Sequence, residues 1–411
     1  MASCPVFASY RPLDPEQLAD PYTVLRRARQ EAPVFFIPED NMWCVTRYED
    51  VLAVIKDTAT YSNSGADEVV APRPKEYAHV MPDGHPVSRS LHDHDPPTHT
   101  RLRKLAQKAF TRRHADAREN EIRAIANRLI DGFASEVEVD LVGVYSSQIP
   151  SLVIAPIMGA PSETAQQLKK WNDDFFIMAG NGHLSEERNA ELWASAIEFD
   201  RFIRELVEER RADPRDDLTS DLIRATTEDG SPSLTDWEVI CIVAGLIAAG
   251  ADTTNGLIAN AVDLLLSEPE QWDAVKRDPS LVGNVVEETL RIRCPVRGQR
   301  RVTTRSTTLA GVTIPEGAVV YIHAGSANRD DAVFEEPDRF DLHRANIGSH
   351  LGLGIGIHFC LGAPLARLEA RVAIECLIER VPDLRKIEGQ TLEWAASTYV
   401  PALLGLQVAL S

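Results

Sequence analysis

The sequence predicts a mainly α protein with a small β-rich region. Three observations carry this. Residues 117–227 read as amphipathic helices in succession, at about 117–135, 150–158, 162–180, 186–211 and 217–227. Thr235-Asp-Trp-Glu238 is a capping box that heads a mostly apolar stretch running to Ser267-Glu-Pro269. The clear β-branched and aromatic runs are two short stretches, near 34–47 and 302–320.

Composition sets the outer limits. The 411 residues are 44% hydrophobic and 26% charged, an ordinary globular balance. Length alone suggests two or three domains. No linker, low-complexity run or repeat divides the chain, so one large domain stays open. Cys4, Cys44, Cys241, Cys294, Cys360 and Cys376 have neither disulfide nor Cys-x-x-Cys spacing, which fits a reducing cytoplasm. No signal peptide opens the chain, and no unbroken apolar run reaches the length a bilayer needs, so a soluble protein is expected. A net charge of −19 argues against a nucleic-acid partner.

Glu16 to Arg29 reads as a helix after a proline-dotted start. Val34-Phe-Phe-Ile and Met42-Trp-Cys-Val-Thr-Arg47, split by Pro-Glu-Asp-Asn, read as a hairpin. Tyr48 to Lys56 is a short helix. Residues 62–97 are proline-rich and lack periodicity; a loop that long usually has a task, such as covering a pocket. Asp95-Pro-Pro starts a helix with Arg101, Arg103, Lys104, Lys108, Arg112 and Arg113 and no acid. That cluster is either a solvated face or a dock for an acidic protein. His99 and Arg103, four apart, share one face and could hold an anion. His92-x-His94 suggests a metal pair, but no carboxylate or cysteine at ligand spacing completes it.

The capped helix after Thr235 would span roughly 50 Å. Inside it lies Ala248-Ala-Gly-Ala-Asp-Thr-Thr254, polar residues in an apolar helix. It is either a kink with back-bonded threonines or an opening over a cofactor. In the second case a hydroxyl and a carboxylate there could pass protons. Val285 to Arg291 is helical, and Glu288 and Arg291 can pair. Val302 to Val320 is a small β-meander with Arg301 at its entrance, and Arg339 sits in the later turn Phe334-Glu-Glu-Pro-Asp-Arg-Phe340.

The stretch His350-Leu-Gly-Leu-Gly-Ile-Gly-Ile-His-Phe-Cys360-Leu-Gly362 is a loop, because glycines on alternate positions suit neither helix nor strand. Ala363-Pro364 then opens a helix, so Cys360 stands near a helix N-terminus, where a thiolate is favoured. Three readings follow: a buried structural cysteine, a nucleophile with His358, or a metal ligand. One thiolate is too few for zinc or an iron–sulfur cluster, but enough for haem, where it is an axial ligand and the porphyrin supplies the equatorial ones.

Four separated patterns resemble those of soluble bacterial cytochrome P-450 enzymes, in the same order along the chain. They are Asp95-Pro-Pro…His-Thr-Arg-Leu-Arg103, Ala249-Gly-Ala-Asp-Thr-Thr254, Glu288-x-x-Arg291 with Phe334…Arg339-Phe340, and Gly354-x-Gly-x-His-x-Cys360-Leu-Gly362. The resemblance implies one haem-thiolate monooxygenase domain over 1–411, a mainly α prism with a small β-region. By resemblance, Cys360 is the axial ligand of haem b, and His99, Arg103, Arg301 and His358 hold its propionates. Leu353, Gly354, Gly356 and Gly362 shape the haem loop. Asp252 and Thr253 deliver protons while O2 is activated. Glu288, Arg291 and Arg339 form a structural charge cluster. Gly245, Ala248, Ala249 and Val296 line the pocket of a small or medium-sized organic substrate, with the loops at 62–94 and 176–196 completing it.

The implied reaction inserts one oxygen atom, as hydroxylation or oxidative dealkylation. Electrons come from NAD(P)H through a separate ferredoxin and ferredoxin reductase, and a monomer in the cytoplasm is expected. A peroxide-driven haem enzyme and a non-catalytic haem sensor are the alternatives; the retained Asp252 and Thr253 speak against both. Two departures stand out. Leu353 replaces the family's usual Phe, which shields the sulfur and helps set the potential. Pro295-Val-Arg297-Gly-Gln-Arg-Arg301 is polar where the family is apolar. If Arg297 or Gln299 faces the pocket, an acid or polar oxygen on the substrate follows; otherwise both point to solvent.

Overall fold

A computed structural model describes residues 6–66, 68–77, 81, 84–226 and 233–410. Cys4, parts of the 62–97 loop and the last residue of the expected 217–227 helix lie outside these. Helices dominate and strands are short.

The capped helix runs unbroken from Asp236 to Ser267, 32 residues, with both halves of its capping box in place. It is long and apolar enough to cross a membrane, yet its sides are packed among Gln148–Met158, Ala165–Gly180, Glu186–Ala212, Val282–Ile292 and Ala363–Arg380. A central position therefore explains its apolar character on all sides. Gly250 is small for packing reasons: a Cβ there would sit 3.0 Å from Ile154 of Gln148–Met158.

The expected 16–29 helix is two helices, Pro15–Ala19 and Tyr22–Glu31, because Pro21 interrupts it. The expected basic helix is also divided. Thr98–Ala106 is α-helical, Gln107–Phe110 is a tighter turn, and Arg112–Asp116 starts anew behind a Thr111 cap.

The hairpin Val34–Ile37 with Met42–Val45 forms as expected, but it is one edge of a larger sheet. Met42–Val45 pairs in parallel with Val319–Ile322, which pairs antiparallel with Gln299–Thr303, and Tyr61–Ser62 closes the other edge. The rest of the meander, Thr307–Leu309 with Val312–Ile314, is a separate two-stranded ribbon. In Gln299–Thr303, alternate side chains face opposite ways, so Arg300 points away from Gln299 and Arg301.

The charge cluster differs from expectation. Glu288 is fully buried and accepts from Arg291 (2.7 and 2.8 Å), from Arg344 Nε (3.0 Å) and from the Asp341 N–H (3.1 Å). Arg339 is exposed and pairs with Glu336 at 2.9 Å. It gives the cluster only its carbonyl, which accepts from Arg291 and Arg344. Arg344 is therefore the second guanidinium.

Candidate functional site

A cavity lies between the long helix and the loop that carries Cys360. The loop turns through left-handed backbone at Gly354 (φ +65°) and Gly356 (φ +69°), conformations glycine adopts without strain. Gly352 has a different duty: a Cβ there would lie 2.3 Å from the Leu290 carbonyl, so the loop can press against the Glu288 helix. The Cys360 N–H donates to the Leu353 carbonyl at 2.9 Å, closing the loop just before the helix Ala363–Arg380. Glu287 ties the loop's two ends together. It pairs with His350 at 3.1 Å before the loop and with Arg367 at 2.6 Å after it. Burial alone would raise this carboxyl, but the bonds from His350 and Arg367 hold it at about 2.

The Cys360 sulfur borders the cavity. Burial raises its pKa, while the N–H groups of Gly362 and Ala363 and the charges of Arg103 and Arg367 pull it down. A bound metal cation would decide this balance for the thiolate.

His99 is 2% exposed, and among the described residues neither of its ring nitrogens has a hydrogen-bond partner; nor has Nε2 of His358. Their rings lie 4.2 Å apart. Burial and then Arg103 lower the pKa of His99. Burial, His99, Arg301, His92 and Arg103 bring His358 to about 3. Arg103 also donates to the Phe359 carbonyl at 2.7 Å, and buried Arg301 donates to the Arg300 carbonyl at 2.6 Å. Unpartnered imidazoles beside two guanidinium groups form a site built for anions, and a haem's two carboxylates fit it. With the sulfur at one wall and the glycine turns beside it, the residues present fit haem. His92 borders this site as well. Its histidine pair with His94 belongs to no group of three or more His, Cys, Asp or Glu that could hold a metal among the described residues.

On the long helix, Thr253 borders the cavity and its hydroxyl donates to the Ala249 carbonyl at 2.7 Å. Both sequence readings therefore meet here: the threonine is back-bonded, and it also faces the cavity. Asp252 is 2% exposed, and among the described residues no N–H or hydroxyl donates to its carboxyl oxygens; its neighbour is the Asp173 carboxyl. Burial raises its pKa well above the usual range, Asp173 raises it further, and Lys169 opposes this. Burial thus favours the neutral, protonated form of this carboxyl.

Gly245, Ala248, Ala249 and Val296 all border the cavity. Gly245 adds no room, because the space of its missing Cβ is taken by Ser90, whose Oγ would lie 1.9 Å away. The roof is aromatic, from Phe175, Phe176 and Tyr399. The polar strand is split by its pairing. Arg297 is buried away from the cavity, donating to the Leu18 carbonyl at 2.7 Å and lying over Trp394. Gln299 borders the cavity, so neither residue points to solvent. Arg300 borders it too, from the opposite face of the strand to Gln299, which the sequence reading missed.

A helical fold with a glycine loop that presents one cysteine to a cavity, under a long helix carrying an acid–threonine pair, defines a haem-thiolate oxygenase. The chain belongs to the cytochrome P-450 family. The family model "Cytochrome P-450" matches residues 186–381. Cytochrome P-450 107B1 of Saccharopolyspora erythraea is 38% identical over 371 residues, covering 90% of this chain and 89% of that protein. The 6-deoxyerythronolide B hydroxylase of the same organism is 34% identical and covers 95% of each chain. Among solved structures, cytochrome P-450 CREJ in complex with (4-ethylphenyl) dihydrogen phosphate matches with a TM-score of 0.93 and 32% identity, covering 98% of this chain and 100% of that one. The protein is thus an oxidoreductase, a monooxygenase of a family that uses haem and O2.

Proposed function

We propose that the protein inserts one oxygen atom into a small or medium-sized organic substrate, by hydroxylation or oxidative dealkylation. Electrons come from NAD(P)H through a ferredoxin reductase and a ferredoxin, and the working form is a monomer in the cytoplasm. The observation that carries the reading is the placement of Cys360 and Thr253 on the same cavity, beside His99 and the Nε2 of His358, which lack hydrogen-bond partners among the described residues.

In this reading Cys360 holds the haem iron, and His99, Arg103, Arg301 and His358 hold the propionates. The haem supplies the oxidising chemistry, which a thiolate ligand promotes by donating electron density. The chain's own residues supply position and protons. Ala248, Ala249, Val296 and Phe176 exclude water from the substrate. The Thr253 hydroxyl commits its hydrogen to Ala249, which leaves its lone pairs to accept a hydrogen bond from the cavity side. Burial biases the neighbouring Asp252 carboxyl toward its protonated form, and Asp173, partly exposed and paired with Lys169, would connect it to solvent.

The test is Thr253→Ala. Haem and substrate should bind as before, while product formed per NADH falls about tenfold or more and hydrogen peroxide rises. Coupling measured with a ferredoxin system decides it; unchanged coupling would assign the proton relay to another group.

The docking face for ferredoxin follows from the basic segment. Lys104, Lys108, Arg112 and Arg113 are exposed, whereas Arg101 is engaged by Glu238 and Arg103 turns inward. Next to them the cysteine loop exposes Ile357 and Phe359, an apolar centre for a charged rim. An acidic ferredoxin would be steered there despite the −19 total, because screening leaves only the local patch to act at short range. Lys108→Glu with Arg112→Glu should slow the first electron transfer about tenfold at low salt. Stopped-flow reduction across a salt series checks this: the difference should shrink as salt rises, with substrate affinity unchanged. Equal rates at every salt concentration would place the docking face elsewhere.

A further inference from the structure

We propose that the end of the cavity beneath Tyr399 is an anion subsite built on Arg300, and that the substrate is an organic anion. Its apolar body would extend from that arginine toward Ala249 and Thr253. The proposal rests on the monooxygenase reading above and narrows its substrate.

The observation is a contrast among buried arginines. Among the described residues, Arg210, Arg291, Arg329 and Arg344 each hold a carboxylate, from Asp217, Glu288, Asp338 and Glu288 respectively. Arg29 donates to the Ser326 hydroxyl and to the carbonyls of Ser326 and Arg329. Arg297 has a carbonyl and an indole face, and Arg301 joins the imidazole cluster. Arg300 is 5% exposed and has, among the described residues, one side-chain hydrogen bond, to Thr398 Oγ1 at 3.3 Å. That hydroxyl itself donates to the Gly180 carbonyl at 3.0 Å, so it offers Arg300 only a lone pair. No carboxylate of the described residues forms an ion pair with Arg300. A buried charge so poorly matched is expensive unless an anion joins it.

The position is fixed by the sheet. Arg300 pairs across the strands with Tyr321, whose hydroxyl donates to the Thr398 carbonyl at 2.7 Å. Strand and loop thus fix Arg300, which lines the cavity together with Phe176, Ala179 and Tyr399. A guanidinium is a planar fork that grips a carboxylate or a phosphate through two parallel bonds. The remaining walls are largely apolar, which suits a hydrocarbon body with one charged end. Because screening leaves only nearby charges to act despite the net charge of −19, a dedicated local cation is what would select an anion.

The experiment uses the haem-loaded protein. Para-butylbenzoate and para-butylphenyl phosphate are compared with para-butylbenzamide and para-butylphenol, which keep the body and remove the charge. Binding is read by the haem spin-state shift and by thermal stabilisation. In the wild type one anion should bind about tenfold or more tighter than its neutral partner, and the better of the two identifies carboxylate or phosphate as the head group. Arg300→Gln should abolish the preference while haem content and the CO spectrum stay as in the wild type. Arg300→Lys should retain part of it.

Equal binding of charged and neutral probes, no stabilisation by either anion, or a preference that survives Arg300→Gln would overturn the subsite. Loss of haem from Arg300→Gln, restored in Arg300→Lys, would also overturn it, by moving Arg300 to the propionate set. Failure of the monooxygenase reading looks different: the wild type itself would lack the CO spectrum of a thiolate-bound haem.

Discussion

Cys360→Ser is expected to leave a folded, helical protein whose reduced CO complex lacks the absorption band of a thiolate-bound haem. Oxygen insertion should fall on the order of a thousandfold or more, about 4 kcal/mol in the barrier. The loop is held by groups other than the sulfur. The Cys360 N–H bonds the Leu353 carbonyl, and Glu287 clamps His350 to Arg367. A serine can therefore take the same backbone conformation. It cannot act as the same ligand, because a hydroxyl is harder and gives up its proton far less readily than a thiol. Difference spectroscopy with CO, alongside circular dichroism, checks both halves of the expectation. An unchanged band in the serine variant would remove Cys360 from the iron.

Glu288→Ala should destabilise the fold more than any of the other substitutions. The carboxylate is fully buried and accepts bonds from Arg291, Arg344 and the Asp341 N–H. Its loss strands two buried guanidinium charges, at about 3–5 kcal/mol. Native proteins hold only about 5–15 kcal/mol in total. The damage should also reach the haem loop. Arg291 donates to the Asn328 carbonyl at 2.9 Å, and the Asn328 side chain accepts from the Leu351 N–H at 2.6 Å, at the start of that loop. Lower soluble yield, a lower denaturant midpoint and reduced haem occupancy are expected together. Arg339→Ala is the control. That side chain is exposed and pairs with the equally exposed Glu336, so stability should change by no more than about 0.5 kcal/mol. A stable Glu288→Ala protein alongside a strongly destabilised Arg339→Ala protein would reverse the assignment of the cluster.

Local chemistry made much of this protein legible from its sequence. The capping box at Thr235 and the mostly apolar stretch after it mark a helix that runs 32 residues, because both signals act within a few turns. The glycines and proline around Cys360 dictate a loop that ends at a helix, since they restrict the backbone wherever they occur. Spacing put Glu288 and Arg291 on one helix face and His99 and Arg103 on another.

What remained open depended on partners far along the chain. Glu288 takes its second arginine from position 344 rather than 339, because the turn after Phe340 brings one guanidinium inward and leaves the other in solvent. Arg300 and Arg301 are adjacent and alike as letters, yet strand alternation sends one toward the cavity roof and the other to the imidazole cluster. Which goes where was set by register against Val319–Ile322. Gly245 and Gly250 looked like room for a ligand, but Ser90 and Ile154 fill those spaces. Pairing register and the packing of distant side chains are properties of the folded chain as a whole, and a one-dimensional spacing does not contain them.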